Sequence, residues 1–373
     1  MWARERAGLT LADVAAYVSK DVEDVAAWEA GAAWPTYRQL ESLAEGLFHR
    51  PVALFFFPEP PDEPAVQQEF RTLPDFDVTH LNPDTRYALR VARAYQDSLR
   101  ELTGGVNPAD RRIWRDLRLS TGVNTVADAA RLRAYLAVSL EHQRSWRSTA
   151  DAMAGWRASV EAVGIFVFKR AFKQKQVSGF CLMDGEFPII MVNNSTPFTR
   201  QIFTLFHELA HLLHGVSSMT TVDGRFVERM RGRQRSIEVA CNALAGEFLV
   251  PGDAFPWERI DRGNLVDSVS AVADDFNVSR EVILRRVLDA GWIDSQSYEA
   301  CVQRWAAEAD AGRGGAGGGS YYYNQAAYLG DAYLRLAFSR YRAGLVDPGD
   351  MAEHLGVKAR NLSKFEDRIA ARL

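Results

Sequence analysis

The sequence predicts an α+β protein, mostly helical, with one small β-sheet in mid-chain. Two observations point there: long stretches rich in Ala, Leu and Arg with few breakers, and short β-type runs confined to residues 165–193. The length of 373 residues adds that two or three domains share the chain. Hydrophobic residues make up 47% and charged residues 25%, the balance of a globular protein with a sizeable core. A formal charge of −4 excludes a global basic field of the kind that drives non-specific nucleic-acid binding.

Residues 1–57 read as short helices. Thr10 is an N-cap for a helix through Leu11 and Ala15. A turn at Ser19-Lys20-Asp21 leads into a helix from Val22 to Ala30 closed by Gly31. After Trp34-Pro35-Thr36 a further helix carries Leu40, Leu43, Ala44 and Leu47 on one stripe. Two helices joined by a tight turn make a helix-turn-helix pattern. Residues 58–83, which open on a proline-rich run, read as a semi-rigid linker.

A domain over 84–255 follows, with amphipathic helices up to about 164 as a lead-in. Strands are expected at 165–168, 179–182 and 188–193. Thr196-Pro197 and Gly215 bound a helix over about 197–214, and another spans 237–249 before Pro251. Helical segments over 265–290, with a second helix-turn-helix pattern at Asp274–Arg286, and over 297–309 form a unit at 256–311. Residues 312–320, six of them glycine, are a flexible linker, and 321–373 a last helical unit.

The N-terminus lacks the apolar stretch of a signal peptide, and no run of about 18 apolar residues occurs. Cys181, Cys241 and Cys301 are odd in number and widely spaced, which fits a reducing compartment. A cytoplasmic protein with no membrane span is the expectation.

The chemistry-bearing signal is His207-Glu208-Leu209-Ala210-His211, an HExxH sequence inside an expected helix. Histidines four apart stack on one helical face, so both imidazoles can reach one cation from a rigid base. Zn2+ suits such ligands. Glu208 then stands beside the ion as general base for its bound water. The chance expectation for this motif in a chain of this composition is about 0.01.

For a third ligand, an extended motif with Gly at 214 and His at 217 is excluded, because those positions hold His214 and Ser217. Glu238, 27 residues past His211, lies on a helical face continued by Asn242, Ala245 and Gly246, small enough for close helix packing. Glu247 sits about 180° round that helix, so the two acids cannot face one metal, and Glu238 is favoured. His214 reads as a histidine at a helix C-terminus or as support behind the ligands. Asn242 reads equally as a hydrogen-bonder to the site or as packing. Cys241 reads as a buried thiol. Arg225, Arg229, Arg231, Arg233 and Arg235 punctuate what looks like a polar loop, solvated or acting as a lid.

The run from Phe203 to His214, with Ile237-Glu238-Val239-Ala240-Cys241-Asn242 through Phe248-Leu249-Val250-Pro251, resembles the ImmA/IrrE family of zinc metallopeptidases. The resemblance implies a zincin-like core, with zinc held by His207, His211 and Glu238. It also implies a protein substrate: a repressor, a transcription factor or a toxin–antitoxin partner in a regulatory or stress response.

The N-terminal unit, with Ala7-Gly8-Leu9-Thr10, Ala26 to Gly31 and Pro35-Thr36, resembles an Xre-type helix-turn-helix. That makes Lys20 and Arg38 candidate contacts to DNA or a protein partner. Residues 1–60 carry five Lys and Arg against nine Asp and Glu, a surface that phosphates repel. Three functions are compatible: an endopeptidase, a DNA-binding regulator, and an antitoxin with a structural metal site. A homodimer is compatible with each.

Overall fold

The computed structural model describes residues 1–63, 81–120, 122, 124–174, 176–221, 230–311 and 320–373. The chain divides into two compact units, Met1–Ala94 with Ala171–Lys175, and Tyr95–Arg170 with Gln176–Leu373. Most of the expected linker over 58–83 and of the glycine-rich segment 312–320 lies outside the described residues.

The N-terminal unit opens with α1 (Trp2–Ala7), α2 (Leu11–Val18), α3 (Val22–Glu29) and α4 (Tyr37–Glu41), which runs into a π-helical turn at Ser42–Leu47. Thr10 caps α2 reciprocally: its hydroxyl accepts from the Asp13 amide at 3.2 Å, and the Asp13 carboxylate accepts from the Thr10 amide at 2.7 Å. The core of these helices is small, built on Ala3, Ala7, Val14, Ala15, Val25, Leu43 and Phe48. Arg4 adds a two-pronged bond to Glu29, at 2.8 and 2.9 Å, which ties α1 to the end of α3.

Before the sheet come α5 (Pro83–Thr103), α6 (Ile113–Asp116), α7 (Thr125–Leu136), α8 (Leu140–Ser145) and α9 (Thr149–Glu161). The sheet is mixed, in the order β1-β3-β2-β4, with β1 (Phe166–Arg170) parallel to β3 (Ile189–Asn193) and β2 (Val177–Leu182) antiparallel to both neighbours. The three expected strands are present. A fourth, β4 (Ser218–Thr221), was not read from the sequence, because Ser-Met-Thr-Thr carries no apolar alternation and becomes a strand only by pairing with β2.

Helices α10 (Phe198–Leu213) and α11 (Gly232–Leu249) complete the central layer. The second starts five residues earlier than expected, so Arg233 and Arg235 are helical, while Arg225 and Arg229 lie outside the described residues. The segment over 265–290 is two helices, α12 (Leu265–Phe276) and α13 (Arg280–Asp289), joined within the helix-turn-helix pattern at 274–286. Asn277 turns the corner in the left-handed region (φ 54°), and its side-chain amide donates to the Trp146 carbonyl at 3.2 Å. Then follow α14 (Ser295–Ala311), α15 (Tyr321–Leu329), α16 (Asp331–Arg342), α17 (Pro348–Leu355) and α18 (Leu362–Ile369). No helix among the described residues is long and apolar enough to cross a membrane.

The strand register lays two rows of side chains under α10. One is Val167, Ile190, Cys181 and Ser218; the next is Lys169, Val192, Gly179 and Thr220. Gly179 makes the approach of the helix feasible. A Cβ there would stand 2.5 Å from the Thr204 methyl and 2.9 Å from the Met191 carbonyl oxygen, and the latter belongs to a paired strand that cannot yield. On its other side α10 packs Phe206 against Trp156 (centroids 4.8 Å apart, 86° between planes) and Phe248 (4.3 Å). The helix is therefore buried nearly all round, as its apolar sequence requires.

Gly179→Ala should cost about 1–3 kcal/mol through overpacking between β2 and α10. Urea unfolding of both proteins measures it, and an unchanged midpoint would contradict the close approach.

Candidate metal centre

Rigid burial of α10 fixes where its polar residues point. His207 and His211, one turn apart, face α11, and Glu238 reaches them from the second turn of that helix. The Nε2 atoms of the two histidines lie 3.0 Å apart. Glu238 places one carboxylate oxygen 3.1 Å from His207 Nε2 and the other 3.1 Å from His211 Nε2. These three side chains, all buried, are the described group whose donor atoms converge, within 4.8 Å of one another.

The donors fit a divalent ion. Zinc bonds of about 2.0–2.1 Å arranged tetrahedrally separate their ligand atoms by about 3.3 Å, close to the three spacings seen here. Two imidazole nitrogens and one carboxylate also match the donor preference of such a cation. Burial pushes the Glu238 carboxyl up, but His207 and His211 outweigh it and hold the group well below the usual carboxylate range. Burial likewise pushes His207 down, and Glu238 overrides this, so its value is raised. The site is electrostatically self-matched around one acid.

Glu208 is fully buried and stands outside the ligand group. Its two oxygens accept from Ser218 Oγ at 2.6 Å and from Thr220 Oγ1 at 2.5 Å. Both hydroxyls come from β4, two residues apart, so they project to the same face of the sheet. These holding residues were missed by sequence reasoning; the Ser-x-Thr alternation is the only trace they leave there, and it acquires meaning once β4 pairs with β2.

Glu247 takes no part in the cluster. Its carboxylate accepts from the Gly252 amide at 3.0 Å and pairs with Arg286 at 2.5 Å. Ala245 is buried, but a side chain at Gly246 would meet open space, so the close helix packing expected there does not involve Gly246. Burial and nearby Glu238 and Glu208 push the Cys241 thiol well above its ordinary value, which keeps it a protonated thiol.

His214 ends α10 and lines a cavity of about 830 Å³ together with Asp128 and Arg235. Burial, then the neighbouring His211, holds it below the ordinary histidine value. Asn242 is half-buried one turn past Glu238. The Nδ1 atoms of His207 and His211 have no hydrogen-bond partner among the described residues, so neither His214 nor Asn242 backs the ligands there. Lys20 and Arg38 are exposed on the N-terminal unit, Lys20 being 3.9 Å from Asp24.

Residues 160–288 match the family model of Peptidase_M78, the IrrE N-terminal-like domain. That span contains the sheet, α10 and α11, and with them every residue of the cluster. It supports the ImmA/IrrE resemblance and a metallopeptidase-type function for this part of the chain. The N-terminal helices lie outside the matched span. No curated protein matches the chain.

Glu238→Ala should abolish stoichiometric zinc uptake, measured by elemental analysis of protein refolded with the metal. Glu247→Gln should keep full uptake while losing about 3 kcal/mol of stability from its broken, largely buried pair with Arg286. Equal metal content in the two variants would refute the assignment of Glu238.

Proposed function

We propose that this chain is a cytoplasmic zinc-dependent endopeptidase that cleaves a protein partner, a repressor, transcription factor or antitoxin, in a regulatory or stress response. One observation carries the reading: two imidazoles and Glu238 converge on one point while Glu208, adjacent in sequence to a ligand, is held apart as a free carboxylate. A purely structural site would need no such fourth residue. The M78 match supports the peptidase class, and the substrate class follows from the family resemblance.

Zinc, when bound, would polarise the scissile carbonyl and lower the pKa of a water to about 7. The chain's own part is proton handling. Each oxygen of Glu208 accepts one hydroxyl hydrogen from Ser218 or Thr220, which leaves a lone pair on each still open. The carboxylate is thereby fixed in orientation yet able to take a proton on either oxygen and pass it to the leaving amine. Strand β4 is an edge strand, with no described strand pairing on its outer side. An extended substrate segment can add there by backbone hydrogen bonds, beside Glu208.

The N-terminal unit supplies recognition in this reading. Its α3 begins with Glu23 and Asp24, which favour the helix dipole but repel phosphates. Trp34 and Tyr37 are 81% and 58% exposed, and aromatic side chains of this kind suit a protein surface.

Glu208→Gln should retain zinc and lose about 10²–10⁴-fold in cleavage rate. A proteome-derived peptide library digested by the zinc-loaded protein reads this as new termini absent with the variant; the same termini from both proteins would overturn the assignment. Ser218→Ala and Thr220→Val should each lower kcat about tenfold at unchanged zinc content, the worth of one charge-assisted hydrogen bond. In mobility-shift assays at physiological salt, random duplex DNA should not be retarded. Retardation that weakens steeply with added salt would reassign the N-terminal unit to DNA.

A further inference from the structure

Lys169 ends one of the two rows beneath α10, on the edge strand β1, and is only 9% exposed. It lines an open cleft of about 320 Å³ bordered by α9, β1, α15, α16 and Arg372. Among the described residues its ammonium makes no hydrogen bond or ion pair; it stands 5.3 Å from the Phe198 ring centroid and interacts electrostatically with Arg157 and Glu161. Lysines usually bury the stem and bring the charged tip to water. This one is largely buried at the wall of the cleft.

The acids of the same cleft are already engaged. Glu161 accepts from Arg157 at 2.9 Å and from the Val167 amide at 3.4 Å. Asp331 is shared by Arg372 at 2.7 Å and Arg335 at 4.0 Å. The guanidinium of Arg157 is consumed by Glu161 and by the carbonyls of Val167, Ala327 and Tyr328. Four cations (Arg157, Lys169, Arg335, Arg372) thus face two anions (Glu161, Asp331), an excess of two positive charges when Lys169 is protonated.

We propose that this cleft binds a small phosphate monoester, whose dianion matches that excess and is gripped by Arg335 and Arg372, with Lys169 adding its charge from the cleft wall. The volume suits a compact metabolite. Guanidinium forks and a lysine point charge are the usual means of holding phosphate oxygens. Burial, and next to it Arg157, drive the Lys169 ammonium down to about 7, with Glu161 opposing, so a sizeable share of the amine is free and nucleophilic near neutral pH. An anion bound beside it would favour the protonated form.

Pyridoxal phosphate is a direct probe, being a phosphate monoester with an aldehyde. Its carbonyl carbon bonds to the lysine nitrogen as water leaves, and borohydride then delivers hydride to that carbon and fixes the label as a secondary amine. Treated with the full chain, it should label Lys169 at a concentration at least tenfold below that needed for exposed lysines such as Lys358 and Lys364. Inorganic phosphate should protect Lys169, chloride at equal ionic strength should not, and pyridoxal without the phosphate should label it at least tenfold less. Arg335→Gln, a change at a largely exposed residue, should weaken labelling of Lys169 with an unchanged thermal unfolding profile. Equal labelling by pyridoxal and its phosphate would reduce the site to a reactive amine and overturn the proposal, as would labelling of Lys169 no faster than that of exposed lysines. The readout involves neither metal nor peptidase activity.

Discussion

Everything at the metal centre depends on how tightly α10 is clasped. On one side Gly179 lets the helix descend onto the sheet, with Thr204 in the space that a side chain would fill. On the other, Trp156, Phe206 and Phe248 close a cluster of aromatic contacts around it. A helix so enclosed cannot rotate without opening a void or a clash, and protein interiors tolerate neither cheaply. Its polar residues are therefore aimed by the packing of its apolar ones.

That constraint divides the polar side chains of α10 between two neighbours. His207 and His211 meet Glu238 of α11, and Glu208 meets the hydroxyls of β4. Adjacent residues on a helix differ by about 100° in direction, so a histidine of the converging group and a hydroxyl-bound carboxylate can sit side by side in sequence and still face different elements. Each is buried, and each meets a different chemical class of partner. The separation keeps Glu208 out of the ligand set without a charge to hold it away.

The same sheet face links the metal centre to a second polar place. The row that ends at Thr220 beside Glu208 begins at Lys169 on the opposite edge strand. At that edge Arg157 and Glu161 satisfy Val167 of β1 and the last carbonyls of α15 together, so the C-terminal helices are joined to the strand by hydrogen bonds rather than by strand pairing. Open sheet edges are a liability; here one is covered by helices, and the other, β4, supplies the hydroxyls that hold Glu208.

Much of this was legible in the residues alone. HExxH in a helical context determined His207, His211 and Glu208 as a constellation, because the 3.6-residue period places them without knowledge of any other element. The apolar runs of β1 to β3 and the capping signals of α2 were readable for the same reason, being local. The placement of Glu238 was legible as a preference over Glu247; the geometry adds the 3.1 Å contacts and gives Glu247 its own partner in Arg286. Only the tertiary structure decided that β4 is a strand, that Ser218 and Thr220 hold Glu208, and that Lys169 lines a cleft with Arg335 and Arg372. Those facts arise from contacts between segments far apart in the chain, and pairing of that kind leaves no periodic signature in any one segment. Local periodicity is written in the sequence, whereas which buried polar group meets which is settled by packing alone.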